Sequence, residues 1–483
     1  MVKAQSAALV IVSTLACSVP ALAQDTELGR VREEMKQLQR NYEERMQALE
    51  KRLTDAESRA ARAEKSATQA EQSASQAGRS ASQAEETAVA AGRRSGENAF
   101  NPAISLILQG TWARTSQDPN NFFISGFVPS GGEVGPPKRS FGLGESELAV
   151  TANIDPFFRG VLIASLTSEK TVEVEEAYFQ TLALSKGFTV KAGRFLSGIG
   201  YQNEIHQHAW DFQDAPLAYK AFLGGRYTQD GMQVRWLAPT PIFLEFGGEL
   251  ASGESFPGND RNKNGAGSAA LFAHTGGDIG DSYAWRTGIS YLRTSARNRS
   301  FQDVDSLSNP VTNSFTGRAR VWILDGVLKW APNGNSTQQN VKLQAEYFRS
   351  AQDGTLTYDD SMLAVPVFGT LADSFRARQS GWYAQGVWQF MPRWRVGYRY
   401  DALQHGNVDI GIVNNGLGPT AADFRLLAPY NPSRNTAMID FSPSEFSRLR
   451  LQLAQDKSRM GATDNQVFIQ YIHSLGPHGA HKF

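Results

Sequence analysis

Two groups of side chains have the types and spacing to do chemistry. In Glu204-Ile205-His206-Gln207-His208 a carboxylate and two imidazoles recur at every second residue. If the stretch is extended, Glu204, His206 and His208 project from one face, and that donor set suits a divalent ion such as zinc. The alternative is a polar stretch that leads into Trp210-Asp211-Phe212 and holds no ion. The second group is cationic: Arg393, Arg395 and Arg399 alternate with Trp394, Val396 and Tyr398, and Arg448 and Arg450 alternate with Leu449 and Leu451. Period-two geometry gathers these arginines on the face opposite the apolar one. Lining a narrow aqueous passage, fixed cations lower the cost of dehydrating an anion, and Lys191, Arg235, Arg286 and Lys342 are further pore-lining candidates. Glu245, Glu249, Glu346 and Asp401 oppose them, so the same residues also read as wetted, mutually paired lumen charges. Catalysis is not expected. The chain has no phosphate-binding loop, no Gly-x-Ser-x-Gly elbow and no His-Glu-x-x-His pair, and Glu175/Glu176 falls in a predicted strand whose alternation leaves one carboxylate solvated. No cofactor is implied.

The elements that must position these groups are strands. From Phe100 to Phe483, stretches of about ten residues alternate apolar with polar, as in Met232/Val234/Trp236 against Gln233/Arg235 and Val341/Leu343/Ala345/Tyr347 against Lys342/Gln344/Glu346. The polar faces are too charged for a sandwich core. A sheet apolar outside, polar inside and closed on itself is a transmembrane β-barrel, and no apolar run of 18 residues competes with that reading. Seventeen candidate strands are predicted, near 103–113, 141–154, 158–167, 172–182, 188–196, 217–223, 231–237, 241–250, 268–275, 283–293, 317–330, 340–349, 381–390, 393–403, 435–441, 446–454 and 465–475. Of these 217–223 is read as a loop or continuation, which leaves an even number near sixteen. Tight turns at Asp155-Pro156-Phe157, Ala238-Pro239-Thr240-Pro241, Met391-Pro392 and Ser442-Pro443-Ser444-Glu445 mark one rim. Long segments at 114–139, 251–268, 294–316, 350–380 and 404–434 mark the other.

The fold class is therefore an all-β transmembrane barrel of about 16 antiparallel strands with an N-terminal α-helical coiled-coil segment, divided into residues 1–23, 24–99 and 100–483. Lys3, the apolar stretch from Ala7 and the Ala21-Leu22-Ala23 site read as an export signal. Cys17, the only cysteine, lies inside it and also permits a lipoprotein reading. Residues 24–99 are rich in Ala, Glu, Gln, Arg and Ser, and a seam running from Leu49 through Ala91 in steps of four and three predicts a periplasmic coiled-coil stalk, with a solitary helix as the alternative. Phe483, with Val467, Ile469 and Tyr471, would be the signal read by the barrel-assembly machinery, although Pro477 interrupts the last strand. With 48 basic and 48 acidic side chains the net charge is zero, which argues against a nucleic-acid partner and leaves outer-membrane lipids as the surroundings.

The Ala177-Tyr178-Phe179-Gln180 strand, Lys191-Ala192-Gly193-Arg194-Phe195 followed by Gly198-Ile199-Gly200, and Gln470-Tyr471-Ile472 near the C-terminus resemble the phosphate-selective porin O and P family of Gram-negative outer membranes. The resemblance implies a sixteen-stranded homotrimeric porin with loops folded into the lumen and, in the best-known members, a cationic ladder that selects anions. The expected function is passive diffusion of small, phosphate-like anionic solutes. Two others remain open: an envelope tether in which the stalk binds peptidoglycan and the barrel is an anchor, or a divalent-metal-related channel.

Overall fold

In the computed structural model, residues 102–131, 134–166 and 171–476 are described, together with Glu33, Lys51 and Thr54, which are helical and exposed. The chain divides into two units, Met1–Ala99 and Phe100–Phe483. The export signal, almost all of the stalk, Cys17, Pro477 and Phe483 lie outside the described residues.

The second unit is a closed antiparallel barrel. Its strands are β1 (Ala103–Thr115), β2 (Ser140–Leu143 continued by Ser146–Asn153), β3 (Phe158–Leu166), β4 (Val172–Thr181), β5 (Phe188–Leu196), β6 (Thr228–Leu237), β7 (Phe243–Ala251), β8 (Ser268–Ile279), β9 (Tyr283–Val304), β10 (Pro310–Trp330), β11 (Asn340–Asp359), β12 (Thr370–Met391), β13 (Trp394–Ile410), β14 (Ser433–Ser444), β15 (Ser447–Lys457) and β16 (Asp464–Leu475). Both pieces of β2 pair with β1, so they form one stave and the barrel has sixteen. Closure is made by β1 against β16, from Leu106↔Leu475 to Thr115↔Gln466, which leaves no free sheet edge in the main wall.

Each predicted strand except 217–223 corresponds to one of these staves. That segment is a helix, α1 (Leu217–Leu223). The expectation of long loops at 294–316 and 350–380 is also corrected, because β9 to β12 continue for 20 to 22 residues each. The polar outer faces of these extensions hid them in the sequence. Their inner faces carry Phe301, Val311, Phe315, Leu356, Tyr358 and Phe375, which bury against Ile412, Phe424 and Leu427 of the β13–β14 connection. This apolar cluster gives the extended hairpins a core of their own.

The main wall is inverted relative to a water-soluble barrel. Leu324, Leu343 and Leu271 stand outside at 50%, 49% and 62% exposure, whereas Arg399, Arg450 and Arg434 are inside at 0%, 1% and 2%. Such a wall is unstable in water, at roughly 1.5–3 kcal/mol for each large apolar side chain left exposed. Aromatic side chains bracket the outer belt. Tyr291 with Trp322 and Trp382 with Tyr400 form one band; Trp394 with Phe441 and Trp388 with Phe390 form the other. Trp322 and Trp330 are eight residues apart on β10, about 27 Å along a strand and about 20 Å along the axis at a tilt of about 40°.

Candidate functional site

Residues 197–227, between β5 and β6, do not stay at the rim. They fold into the barrel, and their contacts reach inward-facing side chains on β2, β4, β7, β9, β11, β13, β14 and β15. A polypeptide taken out of bulk water must find partners for its own N–H and C=O groups, and the wall supplies them. Glu249 accepts from Ser197 Oγ at 2.6 Å and Gly198 N at 2.8 Å. Glu346 accepts from Tyr201 N at 3.2 Å, Gln202 N at 3.0 Å, Tyr219 Oη at 2.9 Å and Tyr383 Oη at 2.5 Å. Arg450 donates to the Trp210 carbonyl at 3.0 Å, and Arg448 to that of His208. Gly200, at φ 67°, sits so close to the wall that a Cβ there would lie 2.6 Å from Glu346 Oε2 and 2.7 Å from Tyr219 Oη. Only glycine fits that approach.

Helix α1 forms where Pro216 precedes a run of helix formers, Leu-Ala-Tyr-Lys-Ala-Phe-Leu, and Gly224 at φ 69° closes it. Its first N–H, on Leu217, is capped by a wall carboxylate, Asp401 Oδ1 at 2.9 Å. The helix buries Leu217, Tyr219 and Phe222 against Phe348, Tyr383 and Leu403 of the wall, with Phe222 stacked on Phe348 at 6.1 Å.

The cations singled out in the sequence occupy defined places around this segment. Arg395 reaches Asp211 at 3.1 Å and Asp440 at 2.5 Å, and Lys342 reaches Asp211 at 2.9 Å. Arg399 pairs with Asp401 at 2.9 Å and with Asp214 at 3.1 Å, while Arg434 and Lys220, the latter at 3.1 Å, also converge on Asp214. Arg450 pairs with Asp440 at 2.8 Å. Arg235 binds Glu204 and, at 3.3 Å, Glu245; Arg286 lies 3.9 Å from Glu204 and over the Tyr201 ring. Lys191 points inward over Tyr178, 4.4 Å from the ring centre. Arg393 does not share the face of Arg395: it stands exposed in the two-residue β12–β13 turn at φ 71°, where strand alternation has ended. The lumen cations are thus compensated, many of them by carboxylates that the infolded segment brings. Asp211 and Asp214 gave no signal in the sequence, because their cationic partners on the wall lie 131 to 220 residues away.

The predicted Glu204/His206/His208 triad is not assembled. The stretch is two 3-10 turns, Gln202–Glu204 and Gln207–Ala209, rather than extended, which breaks the one-face alternation and sends Glu204 to Arg235. His206 instead meets Glu147 at 3.3 Å, Glu175 at 3.2 Å and Glu176 at 3.0 Å, and His208 meets Glu147 at 2.8 Å. Both Glu175 and Glu176 are buried inside, contrary to simple alternation. The register steps from Ile163↔Glu176 to Ala164↔Val174, so Glu175 is the extra residue of a β-bulge. Ligand atoms of Glu147, Glu175 and His206 lie within 4.8 Å of one another, close enough for a cation. Arg226 already contacts Glu175 at 3.0 Å and Glu145 at 2.9 Å. Burial pulls the His206 imidazole down, but the Glu147 charge and hydrogen bonds with Glu147, Glu175 and Glu176 outweigh it and hold its pKa well above the usual value. His206 and Arg226 together supply the positive charge of this cluster.

Below the segment remains a vestibule of about 660 Å³, lined by Lys329, Lys342 and Arg395, by Asp211, Asp278 and Asp281, and by the 331–336 turn. Chemically the arrangement offers charged, water-accessible walls and a docked barrier.

No protein-family model matches the chain. Among solved structures, the trimer form of OmpT, an outer membrane protein of Vibrio cholerae, is 8% identical over 78% of this chain and 99% of its own, with a TM-score of 0.46. The outer membrane channel DcaP of Acinetobacter baumannii is 13% identical over 78% of this chain and 97% of its own, with a TM-score of 0.43. The anion-selective porin from Comamonas acidovorans is 9% identical, covers 78% and 99%, and has a TM-score of 0.40. A protein of Aquifex aeolicus (strain VF5), described as uncharacterized, is 31% identical over 417 residues, spanning 80% of this chain and 81% of that protein. The chain belongs to the same family as this Aquifex aeolicus protein.

Proposed function

We propose that the protein is an outer-membrane channel for passive diffusion of small solutes, with residues 197–227 as its lumenal barrier. One observation carries this reading: a closed barrel with an apolar, aromatic-bracketed outer wall around a charged lumen, the arrangement a bilayer stabilises and water does not. Solutes would cross the vestibule beside Lys329, Lys342 and Arg395 and then pass the docked segment. Phosphate-like anions are the proposed cargo, as the resemblance to phosphate-selective porins implies; along the vestibule Lys329, Lys342 and Arg395 face Asp211, Asp278 and Asp281. Because Asp211 binds two of those cations, anion preference depends on the segment as much as on the wall.

The test is the full chain in planar bilayers under a salt gradient. Stepwise conductance with a reversal potential of anionic sign is expected. A barrel that inserts and stays electrically silent overturns the channel reading, and a cationic reversal potential overturns the choice of cargo.

A further inference from the structure

The outer face of β9 to β13 carries two features that the passage of solutes does not use. Just above the Tyr291/Trp322/Trp382/Tyr400 band, the outward rows hold Arg293, Arg318, Arg320, Arg349, Arg376 and Arg378, all exposed, against Asp353 and Asp409. Asp353 binds Arg320 and Arg378, both at 2.5 Å, and among the described residues no carboxylate lies within ion-pair distance of Arg293, Arg318, Arg349 or Arg376. Four arginines remain in excess along a surface some four strands wide. Below the same band, still on the outside, lies a groove of about 770 Å³ floored by Gly326, Ala345, Ala384 and Gly386 and walled by Trp285 and Trp382. Its floor is made by register: Gly326 faces Ala345, which faces Ala384, so small side chains run across three strands.

We infer that this face binds a phosphorylated lipid of the outer leaflet, its phosphates on the arginine rows and an acyl chain in the groove. The inference rests on the reading that the barrel spans an outer membrane. Guanidinium forks match phosphate oxygens in geometry and charge. Aromatic side chains mark the level at which headgroups begin. From Ala345 in the groove to Arg349 is four residues of β11, about 13 Å, so one lipid spans both features. The apolar groove alone would fit any hydrophobic occupant. The excess of positive charge directly above it selects an anionic lipid over a neutral one or a second copy of this chain, which would bring the same cations.

The experiment uses the full chain in detergent and titrates it with diphosphoryl lipid A, with phosphatidylethanolamine and with inorganic phosphate, counting bound molecules by native mass spectrometry. Lipid A should bind at least about tenfold more tightly than phosphatidylethanolamine, and inorganic phosphate should not displace it at equal concentration. The variant Arg293→Gln/Arg318→Gln/Arg349→Gln/Arg376→Gln should lose that preference, and Ala384→Phe should weaken lipid A by filling the groove. The arginine side chains lie outside the packed wall, so their variant remains informative even if Ala384→Phe fails to assemble. Equal binding of the two lipids, unchanged lipid A binding in the arginine variant, full displacement by phosphate, or a change of oligomeric state in place of lipid loss would each overturn the inference. Conductance is not read in this assay, so a silent channel that binds lipid A and a conducting one that does not are separate results.

Discussion

Replacing Asp214 by Asn should free the infolded segment from the wall. Asp214 is the meeting point of Lys220, Arg399 and Arg434 and also accepts from Gln452 at 3.1 Å. These cations are at most 4% exposed, so water cannot take over when the carboxylate is neutralised. Breaking a buried ion pair by removing one partner costs about 3–5 kcal/mol. That energy shifts the docked-to-undocked ratio of residues 197–227 by roughly two to nearly four powers of ten. Asp211 makes an instructive contrast. Its partners Lys342 and Arg395 are 21% and 24% exposed on the vestibule, so Asp211→Asn should cost only about 1 kcal/mol, roughly fivefold. Single-channel recording should therefore show longer and larger openings in Asp214→Asn, and limited proteolysis should cut within 197–227. Asp211→Asn should keep the gating and move the reversal potential further toward anions. Adding Arg434→Gln to Asp214→Asn should restore part of the docking, because one of the stranded cations is then gone. If Asp214→Asn matches the parent in dwell times and protease resistance, ion pairing to the wall does not hold the segment and the reasoning fails.

Gly200→Ala should loosen the same segment by a different route, forcing Tyr201 and Gln202 away from Glu346, and is checked by the same proteolysis with the barrel's heat-modifiable gel mobility unchanged. The imidazole of His206 has its folded-state value raised above the usual one of about 6.5. Its contribution to docking is then complete below about pH 6.5 and lost as pH rises through the raised value, so channel openings should become more frequent in alkaline buffer, and His206→Gln should abolish that dependence. The mature protein should run as a heat-modifiable trimer that weakens but persists when residues 25–95 are deleted; a monomer in mild detergent would remove both the trimer and the coiled-coil expectation.

The barrel was legible because its determinants are local. An alternating stretch such as Trp394-Arg395-Val396-Gly397-Tyr398-Arg399 fixes both strand and face, and turns such as Asp155-Pro156-Phe157, where Asp155 accepts from the N–H groups of Phe157 and Phe158, punctuate it. Periodicity failed wherever the chain gains or loses a residue against its neighbour. The bulge at Glu175 turned both members of Glu175/Glu176 inward, and the end of the strand at Met391 put Arg393 in a turn. Residues 217–223 carry local helix signals in Pro216, the run of helix formers and Gly224, but the cap on Leu217 comes from Asp401, 184 residues later, which no local pattern contains.

The same distinction explains the altered reading of the cationic rows. Alternation places Arg395, Arg399 and Arg450 inside, and inside they are, but their effect on a passing ion is a sum over every charge within a few ångströms. Asp211 and Asp214 enter that sum only because residues 197–227 fold back through the lumen. Lumen arginines and segment aspartates are therefore one electrostatic unit: each buried cation is stable because a carboxylate is docked beside it, and the segment is docked because the cations are there. A wall built this way gains anion-attracting charge when the segment lifts, since Asp211 leaves while its partners Lys342 and Arg395 remain on the wall. Selectivity and opening should then move in concert, and the reversal potential of Asp214→Asn channels, measured at their largest conductance level, should be more anionic than that of the parent at its smallest.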